Sequence, residues 1–590
     1  MRSAVLAGIV AVLTLAAAAA AAGDLAAVVP EDVLLYAEVN DPKGIWADFE
    51  QSGLRDILRA APQAEMQLGV VTAIVRGVAQ ERLGIPWDDF WAKFASRVAI
   101  LVAEGGGAGR LPVFLLDASE NRAELAKLLA GSVEPALAKV RPNEPPAVLA
   151  DDAHEGVALR IVKGPQGSLA FAFVGHAFAV GEPPAIRKLI DSRAKRPLSA
   201  NPAFLEVRKA LSPPKGIVAY LNLAQLLADH RPVLEGNPEA RALLDNLGLT
   251  TVQWVALSSA FEGRGVRDKL HLYCGDRKLG LVRLLATLSP GTSAAAQMLP
   301  KDCPILLSLN FKDGPQLWQA IIKFLQEGGH GEGLVKIDEG KQHVLLKFGI
   351  NFDDDFVGAL AGEAFLAANP DFTAEFAARR RAPTNADFAF IIGARVARPE
   401  ALKTTIHRLV AGQPGAAPAI ERKAETYQGV EINTLVAPDR PHQPAYAFVG
   451  DFLIVARSAA VIRQCIDAQA APAQSLGASP RFRNVADAMP LKHHAMAYAD
   501  LEGLLTAIIT AGKEPAPGQP IAPFRETLTA LAGQLRGACA TLSADERGIT
   551  IEAYTRSGLI PLVAVVLNIA ERRAAAARPP EPKEPKATDF

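Results

Sequence analysis

Apolar positions recur along this chain in two ways, as short runs of strand length and as longer stretches at helical spacing. Val33 to Val39 (VLLYAEV) predicts a strand, and Asn40, Asp41 and Pro42 supply turn and N-cap chemistry for a helix from about Lys43. Leu68, Val71, Ile74 and Val75 carry helical spacing towards Arg82. Strands are expected at Arg97 to Ala103 and Leu111 to Asp117, with Gly105 to Gly107 looping between them, and a helix from about Arg122 to Leu137. Strands alternate with helices but also follow one another as hairpins. That predicts an α+β fold of antiparallel strands and hairpins with interleaved helices, not a doubly wound parallel sheet.

The pattern is written twice. Ala172 to Leu227 (AFVGHAFAVGEPPAIRKLIDS…NPAFLEV…IVAYLNLAQLL) returns at Ala447 to Leu505 (AFVGDFLIVARSAAVIRQCIDA…SPRFRNV…AMAYADLEGLL). Gly175 matches Gly450, Arg187 matches Arg463, Asp191 matches Asp467, Phe204 matches Phe482 and Tyr220 matches Tyr498. Other landmarks keep the order: LPKDCPILLSLN echoes VPEDVLLYAEVN, and Gln428 to Ile432 echoes Glu155 to Leu159. Ala544 to Tyr554 echoes a hairpin around Arg264 and Gly265. We therefore expect two tandem similar modules, 24–290 and 299–570, the second an internal duplication of the first. Gly175-His176 and Gly450-Asp451 suit type II′ hairpins. The helix after each should bury Ile186, Leu189 and Ile190, or Ile462, Cys465 and Ile466. Pro184 suits a first helical turn and Ser458 an N-cap.

Composition adds an address and removes some functions. Arg2 followed by the apolar run Ala4 to Ala22 reads as a signal peptide over 1–22, cleaved within the alanine tract, with an uncleaved anchor as the alternative. An extracytoplasmic location, periplasmic or secreted, follows from that reading. Lys and Arg total 62 against 63 Asp and Glu, so the basic footprint of a nucleic-acid binder is missing. The apolar segment Leu559 to Ala570 is too short for a bilayer, which takes about 17–25 residues, so no transmembrane span is expected after signal cleavage. The proline-rich stretch 571–590 should be disordered. Of the four cysteines, Cys465 and Cys539 look like packed apolar residues, and only Cys274 with Cys303 is a pair to consider for a disulfide.

Candidate chemistry is sparse. Asp88-Asp89 and Asp353 to Asp355 could pair for acid/base work or hold calcium, but helix N-termini favour acids and calcium-loop spacing is absent. Arg187/Asp191 and Arg463/Asp467 fit i,i+4 ion pairs. Asn40, Asn222, Asn310 and Asp500 each end a strand and should cap the following helix. The histidines form no zinc spacing, and the one doublet, His493-His494, would point to opposite faces of a strand. Gly105 to Gly107 lacks the Lys-Ser/Thr of a P-loop, and Ser192 with Lys195 has no counterpart in the second copy. No catalytic, cofactor-binding or metal residue is nominated, and the balance leans away from an enzyme.

VPEDVLLYAEVNDPKGI, then LGIPWDDFWAKFASRVAILVA, then FAFVGHAFAVGEPPAIRKLID resemble an exported bacterial family catalogued as domain of unknown function 3352. The resemblance runs over most of 24–570, as two tandem copies. It implies an envelope or secreted protein with no established reaction and no catalytic residues. Three functions are carried forward. The first is a non-catalytic binding or scaffold protein of the cell envelope, whose partner is an unknown envelope protein. The second is a carrier of lipid or another apolar ligand between the two modules. The third is an unrecognised hydrolase.

Overall fold

A computed structural model describes residues 23–59, scattered helical positions between 65 and 80, 87–94, 96–104, 110–135, 148–164, 167–193, 196–211, 215–329, 331–368, 390–411, 421–436, 443–511 and 532–558. The expected signal segment, the 105–107 glycine loop, the apolar segment 559–570 and the tail 571–590 lie outside these residues.

Among the described residues, the alternating apolar runs become twenty antiparallel strands of one sheet. In the first half these are β1 (Leu35–Asn40), β2 (Arg97–Glu104), β3 (Arg110–Asp117), β4 (Val148–His154) and β5 (Val157–Gly164). They continue as β6 (Gly167–Val174), β7 (Ala177–Gly181), β8 (Gly216–Asn222), β9 (Trp254–Glu262) and β10 (Gly265–Tyr273). The second half has β11 (Ile305–Phe311), β12 (Leu360–Ala368), β13 (Phe390–Val396), β14 (Glu421–Tyr427) and β15 (Val430–Val436). It ends with β16 (Ala445–Val449), β17 (Phe452–Ala456), β18 (Ala495–Asp500), β19 (Gly537–Ala544) and β20 (Gly548–Thr555). The fold is α+β, as the mixture of hairpins and helices predicts.

Across the first half the strands lie in the order β4-β5-β6-β7-β3-β2-β1-β8-β9-β10. The sheet then continues through β20-β19-β18-β11-β12-β13-β17-β16-β15-β14. Numbered from its own first strand, each half has the same order from outer edge to middle. The halves meet where β10 pairs with β20, from Val266 opposite Thr555 to Tyr273 opposite Gly548, with Lys269 opposite Glu552. The β9–β10 and β19–β20 hairpins flank this seam with matching registers, so a two-fold rotation through the Lys269–Glu552 pair carries one hairpin onto the other. Along the paired strands the halves are joined by main-chain hydrogen bonds.

Helices cover both faces. Alternation along β6 puts Ala170, Ala172 and Val174 into one core and Phe171 into another. The first core lies under the helices Pro183–Arg193 and Pro202–Leu211, which bury Ile186, Leu189, Ile190, Phe204 and Val207. Each such side chain contributes about 1.5–3 kcal/mol by leaving water. The second half repeats this with Ile462, Cys465, Ile466 and Phe482. Gly175 and Gly450 take φ of 63° and 61° at the first position of two-residue hairpin loops, while His176 and Asp451 keep ordinary φ, which fits the type II′ expectation. Ser458 occupies the N-cap of its helix, although its hydroxyl makes no cap bond.

All four cysteines are free. The Cys274–Cys303 pairing considered from sequence is therefore corrected: Cys274 packs in a small core with Val252 and Ile549, whereas Cys303 faces the second-half core that also holds Cys465. Burial raises the Cys465 thiol to about 12 and the Cys274 thiol to about 11, so both stay protonated and inert at neutral pH. Among the described residues, no helix is long and apolar enough to cross a membrane.

Candidate functional site

The polar residues weighed and set aside from sequence are mostly taken up by structural work. Asn222 accepts from Gln225 N at 3.0 Å and Asp500 accepts from Gly503 N at 3.1 Å, capping their helices as predicted. Asn40 and Asn310 depart from that expectation. Asp41 accepts from Gly44 N in place of Asn40, and Asp313 accepts from Gln316 N in place of Asn310. Asn310 instead donates to the His493 carbonyl at 2.9 Å. Asp353 to Asp355 lie in the first turn of a helical segment capped by Asn351. Asp89 is exposed near the start of the helix Trp87–Phe94.

The i,i+4 pairing of Arg187 with Asp191, and of Arg463 with Asp467, is also corrected. Arg187 donates to Asp152 at 2.6 Å and Asp191 meets His154 Nε2 at 2.6 Å. In the second half Arg463 donates to Glu425, and Asp467 accepts from Tyr427 Oη at 3.0 Å. In both halves the helix therefore ties down the outermost hairpin, β4–β5 or β14–β15. The hairpin edge offers the arginine an acceptor, Asp152 or Glu425, and two residues on it offers the aspartate a partner, His154 or Tyr427.

His493 and His494 are both buried. His493 Nδ1 lies 3.1 Å from the Pro490 carbonyl, and His494 Nδ1 accepts from Ala544 N at 3.2 Å. Burial, reinforced by the neighbouring His493, holds the His494 pKa below the ordinary histidine value, and burial does the same to His271. Protonation therefore favours the unfolded chain. The stability these two rings contribute is complete above about pH 6.5 and is lost as pH falls through their lowered folded-state values. Thermal melts from pH 7.5 to 5 should show a falling midpoint, with a shallower fall in His494→Gln. Equal slopes in the two proteins would remove His494 from this account. Among the described residues, no three His, Cys, Asp or Glu side chains converge on a possible metal position.

A buried polar cluster was not foreseen. Glu38 on β1 is 2% exposed, accepts from Tyr36 Oη at 2.7 Å and lies 3.8 Å from Arg208 Nη2. Arg208 also grips both Asp24 oxygens at 2.8 Å, and Asp24 caps the short 3-10 turn Leu25–Ala27. Burial, then the Glu38 charge, pushes the Tyr36 phenol well above its usual range, so it stays a donor. The cluster anchors the segment entering β1. In the second half the buried Glu363 does similar work by accepting from Ala294 N and Ala295 N.

Two of the cavities among the described residues bear on function. One, about 510 Å³, lies among the helices Leu223–Asp229, Arg231–Glu235 and Pro238–Leu247, with Leu227, Leu234, Leu244 and Leu279 on its walls and Arg231, Arg241 and Arg277 around them. The other, about 340 Å³, opens at one end of the seam and is lined by Arg264, Asn484, Arg536, Tyr554 and Arg556. Arg264 and Arg556 share the Asp56 carboxylate, the latter at 2.9 Å. Arg536 holds a left-handed φ of 54° just before β19. Glycine there should raise stability by about 0.5–1 kcal/mol, since this conformation costs an L side chain about 1–2 kcal/mol and glycine returns part of that as chain entropy. A lower melting midpoint for Arg536→Gly would show that its exposed side chain packs usefully after all. The seam arginines come from remote stretches of sequence. Comparing the two halves for unequal charge would have exposed them, since Gln253 and Tyr273 stand where the second half has Arg536 and Arg556.

No curated protein matches the chain. Solved structures with weak likeness include two crystal forms of TP0453. Crystal form I of TP0453 is 10% identical with a TM-score of 0.22, covering 46% of this chain and 88% of that one. Crystal form III is 11% identical with a TM-score of 0.23, covering 47% and 91%. The family described as "Protein of unknown function (DUF3352)" matches residues 278–586, a single copy over the second half where the motifs were read over both. That match takes in more than half of the residues, and the chain belongs to the DUF3352 family.

Proposed function

We propose that this is an internally duplicated, non-catalytic binding or scaffold protein of the cell envelope, reached through a signal peptide. The observation that carries this reading is the way the polar residues are used. The acids and histidines weighed from sequence are engaged in caps, hairpin ties and buried anchors, while the seam cavity presents arginines and an amide with no nucleophile beside a base among the described residues. A stiff sheet spanning both halves gives such a cavity a fixed shape. The test is cross-linking of the whole protein in envelopes at near-native expression. A reproducible partner is expected, and recovery of none would count against the reading.

Carriage of lipid or another apolar ligand is the second reading, and the four leucines on the walls of the cavity among the helices of 223–247 favour it, with Arg231, Glu235, Arg241 and Asp245 beside them. That space lies within the first half and not between the halves. Native mass spectrometry after gentle extraction should then show a bound lipid, and a clean apo mass would end this alternative.

A further inference from the structure

We propose that the seam cavity binds a phosphate-like oxyanion, an assignment that rests on reading the chain as a binding protein. The lining brings Arg264, Arg536 and Arg556 together from three separate segments and contains no carboxylate. Asp56, shared by Arg264 and Arg556, is the one acidic partner of these three side chains among the described residues. Glu262 and Glu552 are engaged by Arg267. Arg556 Nε is shielded from water without an acceptor, and the Asn484 amide stands at the rim. Tyr554 shapes the wall, its hydroxyl already donating to the Glu262 carbonyl at 2.9 Å. Guanidinium groups converging from several directions match a tetrahedral anion with three or more acceptor oxygens better than a planar carboxylate with two. The volume, about 340 Å³, suits a small phosphomonoester or one headgroup.

The other end of the seam provides an internal comparison. The two-fold through Lys269 and Glu552 carries Arg264 onto Arg547, Arg536 onto Gln253 and Arg556 onto Tyr273. There Arg547 is met by Glu206 at 3.5 Å, where the cavity has the uncharged Asn484. The same strand pairing thus closes without the extra arginines, so the sheet does not require them. Arg536 in addition holds a strained left-handed backbone, while Gln253 does not take positive φ.

Calorimetric titration of the full chain with inorganic phosphate, at ionic strength matched with chloride, tests the assignment. Saturable binding is expected, weakened at least about tenfold in the Arg264→Gln/Arg536→Gln double variant and unchanged in Arg547→Gln. Both replaced side chains are exposed, so the variants should keep the wild-type circular dichroism. Sedimentation with phosphatidic acid vesicles, against phosphatidylcholine vesicles, distinguishes the source. Binding to the acidic vesicles alone assigns a lipid headgroup, and binding to free phosphate alone assigns a soluble ligand. No binding in either arm, or equal affinity in wild type and double variant, overturns the site. If that happens while an envelope partner is still recovered, the binding-protein reading stands without it.

Discussion

Replacing Arg208 by methionine should lower the stability of the chain by about 3–5 kcal/mol at neutral pH. Arg208 is the cation nearest the buried Glu38 carboxylate, 3.8 Å away, and methionine keeps much of its length while removing its charge. Glu38 would then keep only the Tyr36 hydroxyl and, at 3.4 Å, the Asn40 amide. A carboxylate 2% exposed cannot recover water, so its charge is left buried without a cation. Denaturant melts of Arg208→Met against the wild type at neutral pH measure the loss, and Glu38→Gln/Arg208→Met should restore part of it. No recovery in the double variant would mean that Arg208 matters only through Asp24 and its packing.

Truncating Phe204 to alanine should cost about 3–5 kcal/mol, more than Phe482→Ala at the matching place in the second half. Phe204 is fully buried and lies edge-on to Tyr220 at 4.8 Å and to Tyr36 and Trp254 at 6.1 Å. Phe482 is 7% exposed and meets Tyr498 at 5.0 Å, while Leu306 stands where the first half has Tyr36. Removing Phe204 therefore opens a cavity walled by three rigid rings that cannot collapse into it, whereas a leucine can relax. Urea melts of the two variants compare the costs directly. A larger loss for Phe482→Ala would reverse this account of the two cores.

Local pattern carried a great deal of the architecture. The glycine-led turns at Gly175 and Gly450, the helices burying Ile186 and Ile462, and the caps at Asn222 and Asp500 depend on neighbours a few residues away, so spacing alone revealed them. What escaped depends on long-range geometry. Asn40 fits a helix cap by position, but the next residue, Asp41, adopts a left-handed φ and takes the role. Arg187 and Asp191 match an i,i+4 pair, yet each finds its partner on β4, Asp152 and His154, and no helical spacing encodes that hairpin's return. The seam site was hidden for the same reason. Arg264, Arg536 and Arg556 become neighbours only when β10 finds β20, and nothing in either strand's alternation names its partner across so much intervening chain.

The residues facing each other at the centre of the seam also decide which edges can join. A rotation relating two like halves would allow β10 of one molecule to meet β10 of another, because each inner edge is close to self-complementary. Such a union would set Lys269 against Lys269, and the corresponding union of second halves would set Glu552 against Glu552. Like charges directly opposed across a strand pair repel, whereas within one chain Lys269 Nζ lies 3.6 Å from Glu552 Oε2. One lysine and one glutamate thereby bias a first half towards its own second half, and away from a copy of itself.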